Sequence, residues 1–349
     1  MTLPAVRARL YRGTPRNLAR LAAALQRGEL VAVPTETVYG LAANALDARA
    51  CRRIFRAKGR PASDPLIVHI HAPGDLARIA ESNPAALKLA RKFWPGPLTL
   101  VLPKKSVIPA IVSARRPSVA VRLPSHPLFR RLLKISGVPL AAPSANAFGY
   151  VSPTTAAHVQ AGLGRRIRHI LDGGPCAIGL ESTIVDLRDP RKPRLLRPGA
   201  ITRAQLERVL GCRVPVAAAA RQSSRGAQLA PGLLKRHYSP RTPVVLHSRI
   251  KIQEVLADRQ QREGWLFIAR PATRVGRADR PSLPSIPSKG RNIFWLDDRG
   301  DLRGAARKLF SQLRALDIRG FRKIHVELAA GTGLADAIND RLRRAAARG

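Results

Sequence analysis

The apolar residues of the chain occur in short runs, and this feature constrains the fold more than any other. The runs at 66–70, 98–102 and 119–123 have the length and composition of buried β-strands, and a proline adjoins each of them. No run approaches the roughly 18 to 20 apolar residues that a membrane-spanning helix needs. The chain is therefore predicted to be a globular α/β protein with no membrane partner.

Helical patterns alternate with these runs. Thr14 and Pro15 precede apolar residues with helical spacing, and Gly28 ends that pattern. Asp47 precedes a second pattern, which Gly59 ends. Mixed short strands and helices predict a twisted mixed α/β sheet in the N-terminal part of the chain. Its remaining predicted elements are strands at 30–33, 139–142, 169–171 and 183–187 and helices at 85–93 and 128–135.

The composition changes after residue 210. Residues 214–228 are rich in Ala, Arg and Ser and have no periodicity, as is typical of a linker. Strands and helices then alternate, which predicts a smaller, Rossmann-like parallel α/β domain. The predicted strands are at 244–246, 265–269, 293–296 and 324–328, and the predicted helices at 250–262, 302–316 and 334–346. The predicted organisation is a catalytic domain at 1–210, an interdomain linker at 211–242 and a C-terminal α/β domain at 243–349.

The chain is strongly basic. It has 62 Lys and Arg against 22 Asp and Glu, a formal net charge of +40 and a pI near 11.8. This charge predicts an anionic partner such as a nucleotide or RNA; the alternative is an arginine-rich composition that solvates the surface. Three widely separated cysteines, without a C-x-x-C pair, indicate neither a disulfide framework nor a thiolate zinc site, and they favour a reducing, cytoplasmic location.

Several polar groups stand where α/β proteins build their sites, each with a structural alternative. Lys58 and Arg60 flank Gly59 and could bind an anion, although Lys58 also suits a helix C-terminus. Ser144 and Asn146 follow a short strand and could contact phosphate or sugar, or simply form a turn. His69 lies in an apolar strand, where a histidine buried in the core is the default interpretation.

The order of these groups resembles one known family. The matching text is PTETVYGLAANALD (34–47), KGRPASDPLIVHI (58–70), WPGPLTLVL (94–102), VAVRLPSHP (119–127), PLAAPSAN (139–146), SPT (152–154), ILDGG (170–174), ESTIVDL (181–187) and LRPG (196–199). The chain is similar to the two-domain threonylcarbamoyl-AMP synthases of the Sua5/YrdC family, with K-x-R and S-x-N signatures intact. Residues 230–240 resemble the family's interdomain loop, but Leu233 and Lys235 depart from its usual pattern.

The resemblance implies a YrdC-like catalytic domain, a Sua5-type C-terminal domain and an enzyme that makes the activated intermediate of t6A modification of tRNA. Its substrates would be ATP, L-threonine and bicarbonate, with Mg²⁺ carried by ATP. Glu36 is the only nearby candidate metal ligand, so no protein metal site is predicted. Product would pass to a t6A transferase complex, and the charge leaves room for direct contact with tRNA.

The resemblance also assigns roles to individual residues. Lys58 and Arg60 are implied to be catalytic, by offsetting charge on carbamate and phosphate oxygens. The implied ATP-binding residues are Lys58, Ser144, Asn146, Ser152, Arg197, His237 and Tyr238, the last two as a cover. The implied threonine-binding residues are Thr35, His69, Arg122 and Ser182.

Two alternatives to this activity stay open at this point. A non-catalytic RNA-binding protein would fit the charge, but no signature of a known RNA-binding module is present. An O-carbamoyltransferase that uses carbamoyl phosphate would fit a related domain, but such domains occur beside zinc fingers, and the C-x-x-C pairs are missing.

Overall fold

The computed structural model describes residues 7–217, 228–233, 237–251, 254–255, 262–271 and 292–347. Most of the predicted linker at 214–228 and most of the predicted helix at 250–262 lie outside these residues, as does Lys235. The described residues form two sheets, one on each side of the predicted linker.

The N-terminal part forms a ten-stranded mixed sheet, which confirms the predicted fold class. Its strands are β1 (Arg9–Arg12), β2 (Val31–Val33), β3 (Gly40–Asn44), β4 (Ile67–His69), β5 (Leu98–Pro103), β6 (Ser118–Arg122), β7 (Leu140–Ala141), β8 (His169–Asp172), β9 (Thr183–Asp186) and β10 (Arg194–Arg197). The spatial order is β1-β8-β2-β3-β7-β4-β6-β5-β9-β10, with parallel and antiparallel neighbours. Because most sequential strands are not adjacent, residues far apart in the chain meet at the strand ends.

Helices cover this sheet. They are α1 (Pro15–Gln26), α2 (Ala48–Lys58), α3 (Leu76–Ile79), α4 (Pro84–Phe93), α5 (Pro127–Ser136), α6 (Ala156–Leu163) and α7 (Arg203–Leu210). Thr14 caps α1 by accepting from the N–H of Asn17 at 3.3 Å, and Asp47 caps α2 in the same way for Arg49 at 2.7 Å. Gly59 ends α2 in the left-handed conformation, with φ +65°. The turn therefore begins directly at Lys58.

The two faces of the large sheet differ in chemistry. Val68, Leu100 and Val121 on one face are fully buried in the main apolar core. On the other face, His69 pairs in register with Arg122, and Arg122 pairs with Thr99. Paired residues project to the same side of a sheet, so β4, β6 and β5 present a row of polar side chains.

The C-terminal part forms a small parallel sheet, as predicted. Its strands are β11 (Val244–His247), β12 (Glu263–Ala269), β13 (Ile293–Asp297) and β14 (Lys323–Glu327), in the spatial order β11-β14-β12-β13. The described helices of this part are α8 (Leu302–Asp317) and α9 (Leu334–Ala346). Among the described residues, no helix has both the length and the apolar character to cross a bilayer.

The two parts share an apolar interface. Val38, Val151 and Leu180 from the N-terminal part join Phe310 and Leu313 of α8 in one buried cluster. The backbones approach so closely that a Cβ added at Gly179 would lie 2.5 Å from the Cα atom of Arg307. Close packing of this kind holds α8 against the loops that follow β2, β7 and β8 in the N-terminal part.

Candidate active site

A hollow lies between the polar face of the large sheet and the segment that leads to the small sheet. Its cavity is about 40 Å³, enough for only a few water molecules. Nine of the predicted site residues line it: Thr35, Arg60, His69, Arg122, Ser144, Ser182, Arg197, His237 and Tyr238. Lys58, Asn146 and Ser152 are not among the lining residues and lie behind its wall. Their roles stay predictions.

Lys58 is buried at the end of α2. Its Nζ donates to the carbonyl oxygens of Ser144 at 2.5 Å and Asn146 at 2.6 Å. Burial, followed by the positive charge of Arg60, lowers the pKa of Lys58 well below its usual value. The K-x-R and S-x-N signatures therefore meet through this ammonium group.

Arg60 is buried with the only carboxylate that forms an ion pair with it among the described residues. Its guanidinium lies 2.9 Å from Oδ2 of Asp64 and donates to the carbonyls of Asp64 and Pro65. Burial lowers the pKa of Arg60 and raises that of Asp64, against the attraction between the two charges. Asp64 thereby stabilises the turn after α2. Arg60 is itself one of the residues that line the cavity.

Asn146 shapes the wall behind the hollow. Its Nδ2 donates to the carbonyl oxygens of Ala147 and Tyr150, each at 2.8 Å. Its buried Oδ1 has no partner among the described residues. The amide group therefore fixes the loop after β7, which also carries Ser144.

Arg197 joins three segments at the cavity. It donates to Oγ of Ser182 at 3.2 Å, to the carbonyl of Ser182 at 3.1 Å and to the carbonyl of Pro231 at 3.3 Å. Ser182 in turn contacts Oγ1 of Thr99 at 2.7 Å. Burial lowers the pKa of Arg197. The residue thus connects the ends of β9 and β10 to Pro231 in the interdomain segment.

A buried ion pair closes the opposite wall. Arg122 lies 2.7 Å from Oε1 of Glu36 and donates to Oγ1 of Thr37 at 3.0 Å. Burial is the largest single influence and raises the pKa of Glu36, but the charge and hydrogen bond of Arg122, together with backbone hydrogen bonds, outweigh it, and the pKa is lowered. Thr35 was expected to offer its hydroxyl to a substrate; here that hydroxyl contacts Thr37 and donates to the carbonyl of Val38 at 2.7 Å. In this structure it stabilises the turn after β2.

His69 lies in the polar row beside Arg122. Its Nδ1 has no hydrogen-bond partner among the described residues. Burial, and then the charge of Arg122, lowers the pKa of His69 to about 3. The imidazole is therefore neutral at physiological pH and can offer a ring nitrogen to a polar ligand.

His237 and Tyr238, near the end of the interdomain segment, cover the cavity. The His237 ring lies edge-on to Phe148 at 6.0 Å, and the Tyr238 ring lies 5.4 Å from that of Phe310 on α8. Gly232 permits this arrangement, because a Cβ there would lie 2.7 Å from the Tyr238 hydroxyl. Tyr238 itself has φ +62°, an unfavourable conformation for a non-glycine residue.

Ser152 is fully buried at the domain interface. Its hydroxyl donates to Oε1 of Glu181 at 2.6 Å, and Nε of Arg341 on α9 lies 3.0 Å from Oε2 of the same carboxylate. Arg341 also donates to the carbonyls of Pro198 and Glu181 and lies over the Tyr238 ring. Arg341, a residue of the C-terminal part, thus contacts the segments beside the ends of β9 and β10 and the Tyr238 ring that covers the cavity.

Sequence reasoning missed four of these residues. Thr37 and Glu181 lie inside the quoted motifs, PTETVYG and ESTIVDL, where the more familiar neighbours drew attention. Asp64 lies four residues after Arg60, a spacing that could have indicated an ion pair. Arg341 stands among several arginines on a basic helix, and nothing local marks it as buried.

Two family models match the chain. The model described as "Telomere recombination" (Sua5, YciO and YrdC) matches residues 23–199. The model described as "Threonylcarbamoyl-AMP synthase, C-terminal domain" matches residues 201–347. Together they cover every strand of both sheets except β1, and their meeting point follows β10.

Curated relatives match over most of their length. A threonylcarbamoyl-AMP synthase of Pyrococcus abyssi is 41% identical over 328 residues, 92% of this chain and 91% of the relative. One of Bacillus subtilis is 40% identical, over 94% of this chain and 92% of the relative. The crystal structure of P. abyssi Sua5 complexed with L-threonine superposes with a TM-score of 0.84 and 39% identity, covering 97% of this chain and 96% of that one.

Proposed function

Because the chain belongs to the Sua5/YrdC family of threonylcarbamoyl-AMP synthases, in the two-domain form, we propose that it makes threonylcarbamoyl-AMP and pyrophosphate from L-threonine, bicarbonate and ATP. The adenylyl group moves as a unit, so the enzyme is a nucleotidyltransferase. The product would supply a t6A transferase complex that modifies tRNA. Three unpaired cysteines, Cys51, Cys176 and Cys212, support a cytoplasmic location.

The chemistry requires two bond-forming steps. The amine of L-threonine attacks the carbon of bicarbonate, which gives a carbamate and releases water. A carbamate oxygen then attacks the α-phosphorus of ATP while the bond to the bridging oxygen of pyrophosphate breaks. Negative charge therefore accumulates on phosphate and carbamate oxygens, and fixed cations must offset it.

The observation that carries the proposal is a concentration of buried cations. Lys58, Arg60 and Arg197 are each at most 7% exposed. Among the described residues, Asp64 is the only carboxylate in an ion pair with any of the three. Buried positive charge without matching negative charge is costly unless an anion binds. ATP and the carbamate would supply that anion, with Lys58 as a point charge and Arg60 as a bidentate fork.

The opposite wall suits an amino acid. Arg122 would hold the threonine carboxylate, in place of or beside Glu36, because a guanidinium pairs well with a planar carboxylate. Ser182 and the neutral His69 would bind the remaining polar atoms of the substrate. Since Thr35 already stabilises its own turn, we assign the nearer hydroxyl contact to Thr37, which Arg122 orients at 3.0 Å.

ATP would occupy the wall that Ser144 and Asn146 support. The described residues include no cluster of potential metal ligands, and Glu36 is paired with Arg122. Mg²⁺ would therefore enter bound to the triphosphate, with no cage of protein carboxylates. Ser152 reaches the nucleotide only if its hydroxyl leaves Glu181, so its contact with ATP requires rearrangement at the domain interface.

Substrates also require the cover to move. A cavity of about 40 Å³ is far below the roughly 300 Å³ at which ligand pockets begin. Moving His237 and Tyr238 outward would open the hollow, and their return would exclude water from the labile carbamate and mixed anhydride. Release of the unfavourable φ of Tyr238 would offset part of the cost of opening.

Pyrophosphate release tests the proposal. Release should require ATP, L-threonine and bicarbonate together, and Lys58→Met or Arg60→Met should lower the rate on the order of 100-fold or more. Lys88→Met, an exposed lysine on α4, is the matched control and should leave the rate unchanged. Turnover of carbamoyl phosphate without threonine would instead indicate an O-carbamoyltransferase. Absence of any turnover, with RNA binding intact, would indicate a binding protein.

A further inference from the structure

A second cleft lies on the outer side of α2, away from the hollow. It has a volume of about 510 Å³ and is lined by Glu29, Leu30, Arg53, Arg56, Ala57, Arg166, Ile167 and Arg168. None of these residues lines the hollow. Helix α2 therefore has Lys58 at its inner end, while Arg53 and Arg56 project outward, one turn apart.

The cleft brings together four arginines from two separate segments. Arg53 and Arg56 come from α2, and Arg166 and Arg168 come from the connection between α6 and β8. Among the described residues, none of the four lies within 4.0 Å of a carboxylate oxygen. The proposed reaction makes no use of them.

Glu29 is the one acidic residue among the described residues that line the cleft, and its carboxylate already has other partners. Glu29 accepts from Arg27 at 3.0 Å and lies 3.0 Å from Nε2 of His169. The hydrogen bond from His169 is the main reason that the pKa of Glu29 is lowered. Glu29 therefore does not neutralise the four cleft arginines, and their mutual repulsion is left for an anionic ligand to relieve.

Two of the arginines are held in place by the backbone. Arg53 donates to the carbonyl of Gly28 at 3.0 Å, and Arg166 donates to the carbonyl of Ala57 at 3.2 Å. These bonds reduce the side-chain entropy that binding would otherwise cost. They use only part of each guanidinium, which has five N–H donors, so several donors stay available to a ligand.

The positive surface continues beyond the cleft. The N–H of Arg9 donates to the carbonyl of Arg168 at 2.9 Å, so β1 runs beside the cleft segment. Arg7, Arg9 and Arg165 on these adjoining segments are all exposed. An extended row of cations fits a linear polyanion better than it fits a compact one.

We propose that this cleft, formed by Arg53, Arg56, Arg166 and Arg168, binds the phosphate backbone of an RNA strand. Among the described residues that line the cleft, none is aromatic, so bases have no surface there on which to stack, and recognition depends on phosphate spacing. Leu30, Ala57 and Ile167 provide an apolar floor for the sugar edges. The choice of RNA over other polyanions rests on the proposed function, whose product is used to modify tRNA.

Salt dependence of binding tests this proposal. The probe is a labelled RNA stem-loop, measured by fluorescence anisotropy without ATP or threonine. Four phosphate contacts correspond to a slope of about −3 to −4 in a plot of log affinity against log salt. The cleft variant replaces four arginines by Gln: Arg53→Gln, Arg56→Gln, Arg166→Gln and Arg168→Gln. Raising salt from 50 to 200 mM should therefore weaken RNA binding by the wild type about 100-fold more than RNA binding by this cleft variant.

A second quadruple variant controls for net charge. Arg16, Arg20, Arg91 and Arg191 are exposed and lie outside the cleft, and their replacement by Gln removes the same four charges. This control should retain the wild-type slope. An equal loss of RNA affinity and of salt slope in both variants would show that only overall charge matters and would overturn the proposal. So would binding of the cleft to anionic lipid vesicles or to inorganic pyrophosphate, with no affinity for the RNA.

The proposed enzyme activity is independent of this result. The cleft variant should release pyrophosphate at the wild-type rate, and its circular dichroism and melting temperature show whether it is folded. If the wild-type protein binds the RNA but releases no pyrophosphate, the proposed function is refuted and the cleft proposal stands. The cleft proposal is supported if the cleft variant loses RNA binding while the control variant keeps the wild-type salt slope.

Discussion

Replacement of Arg341 tests how far the C-terminal domain contributes to the hollow. The guanidinium of Arg341 is fully buried and contacts Oε2 of Glu181 at 3.0 Å across the domain interface. The substitution Arg341→Met keeps much of the side-chain length and removes the charge. It leaves the Glu181 carboxylate buried, with Ser152 as its remaining side-chain hydrogen-bond partner among the described residues.

The magnitude follows from this burial. The side chains of Arg341 and Glu181 are 0% and 8% exposed, so solvent screens their interaction little. Removing one partner of a buried pair leaves an unpaired charge and typically costs about 3 to 5 kcal/mol. Arg341→Met should therefore lower the free energy of unfolding by that amount. Since Glu181 lines the hollow, its unpaired charge should also weaken ATP binding while L-threonine binding changes little.

Urea denaturation measures the first effect, with the fluorescence of Trp265 and Trp295 reporting on the C-terminal sheet. The exposed Arg343→Met on the same helix is the matched control and should cost less than about 0.5 kcal/mol. The double variant Arg341→Met with Glu181→Gln should recover about 1 to 3 kcal/mol relative to the sum of the two single changes. Strict additivity, or equal losses for Arg341→Met and Arg343→Met, would refute the reasoning.

Two further predictions concern titration. His237 is buried, and burial, followed by the charges of Arg60, Lys58 and Arg197, lowers its pKa well below 6.5. The neutral ring therefore contributes its full stability to the covered state above about pH 6.5. Below that pH, the free energy that favours the covered state falls by about 1.4 kcal/mol per pH unit. The Ser239 amide donates to the carbonyl of Gly149 at 2.8 Å, and its protection factor, which is the observed exchange rate corrected for the slower intrinsic exchange in acid, should fall accordingly. The same fall in protection in His237→Phe would contradict this. The lowered pKa of Lys58 predicts proton uptake when ATP binds at a pH below the usual lysine pKa of 10.5, because a bound triphosphate favours the charged ammonium. Calorimetry in buffers of different ionisation enthalpy measures this uptake, and it should vanish in Lys58→Met but persist in Lys88→Met.

Elements with strong local signals were predictable from sequence. The caps Thr14 and Asp47 and the terminating Gly59 act within one helical turn, so α1 and α2 follow from their own residues. The C-terminal strands and helices are long enough for the periodicity of their apolar residues to be recognised. In contrast, β1 and β3 were not predicted: they have four and five residues, and pairing with distant strands stabilises them.

The site was predictable in part, because its motifs are local in the sequence. Motif order identified nine residues that line the hollow, because phosphate and carboxylate chemistry demands particular side chains at strand ends. The hydroxyl of Thr35 was expected to face a substrate, but the backbone two and three residues later competes for it. Local hydrogen bonding of that kind depends on the φ and ψ of the turn, which the residue names do not specify.

The amino-acid sequence by itself determined the fold class, the two-part organisation and the chemical groups available for an anion. Only the tertiary structure decided which buried charges neutralise one another, since Glu36 with Arg122 and Glu181 with Arg341 are pairs that long-range packing brings together. It likewise decided that four arginines of two distant segments share one outer cleft. Side-chain chemistry is a local property of the chain, whereas burial and pairing are properties of the packed molecule, and the energy of a charge depends mainly on the latter.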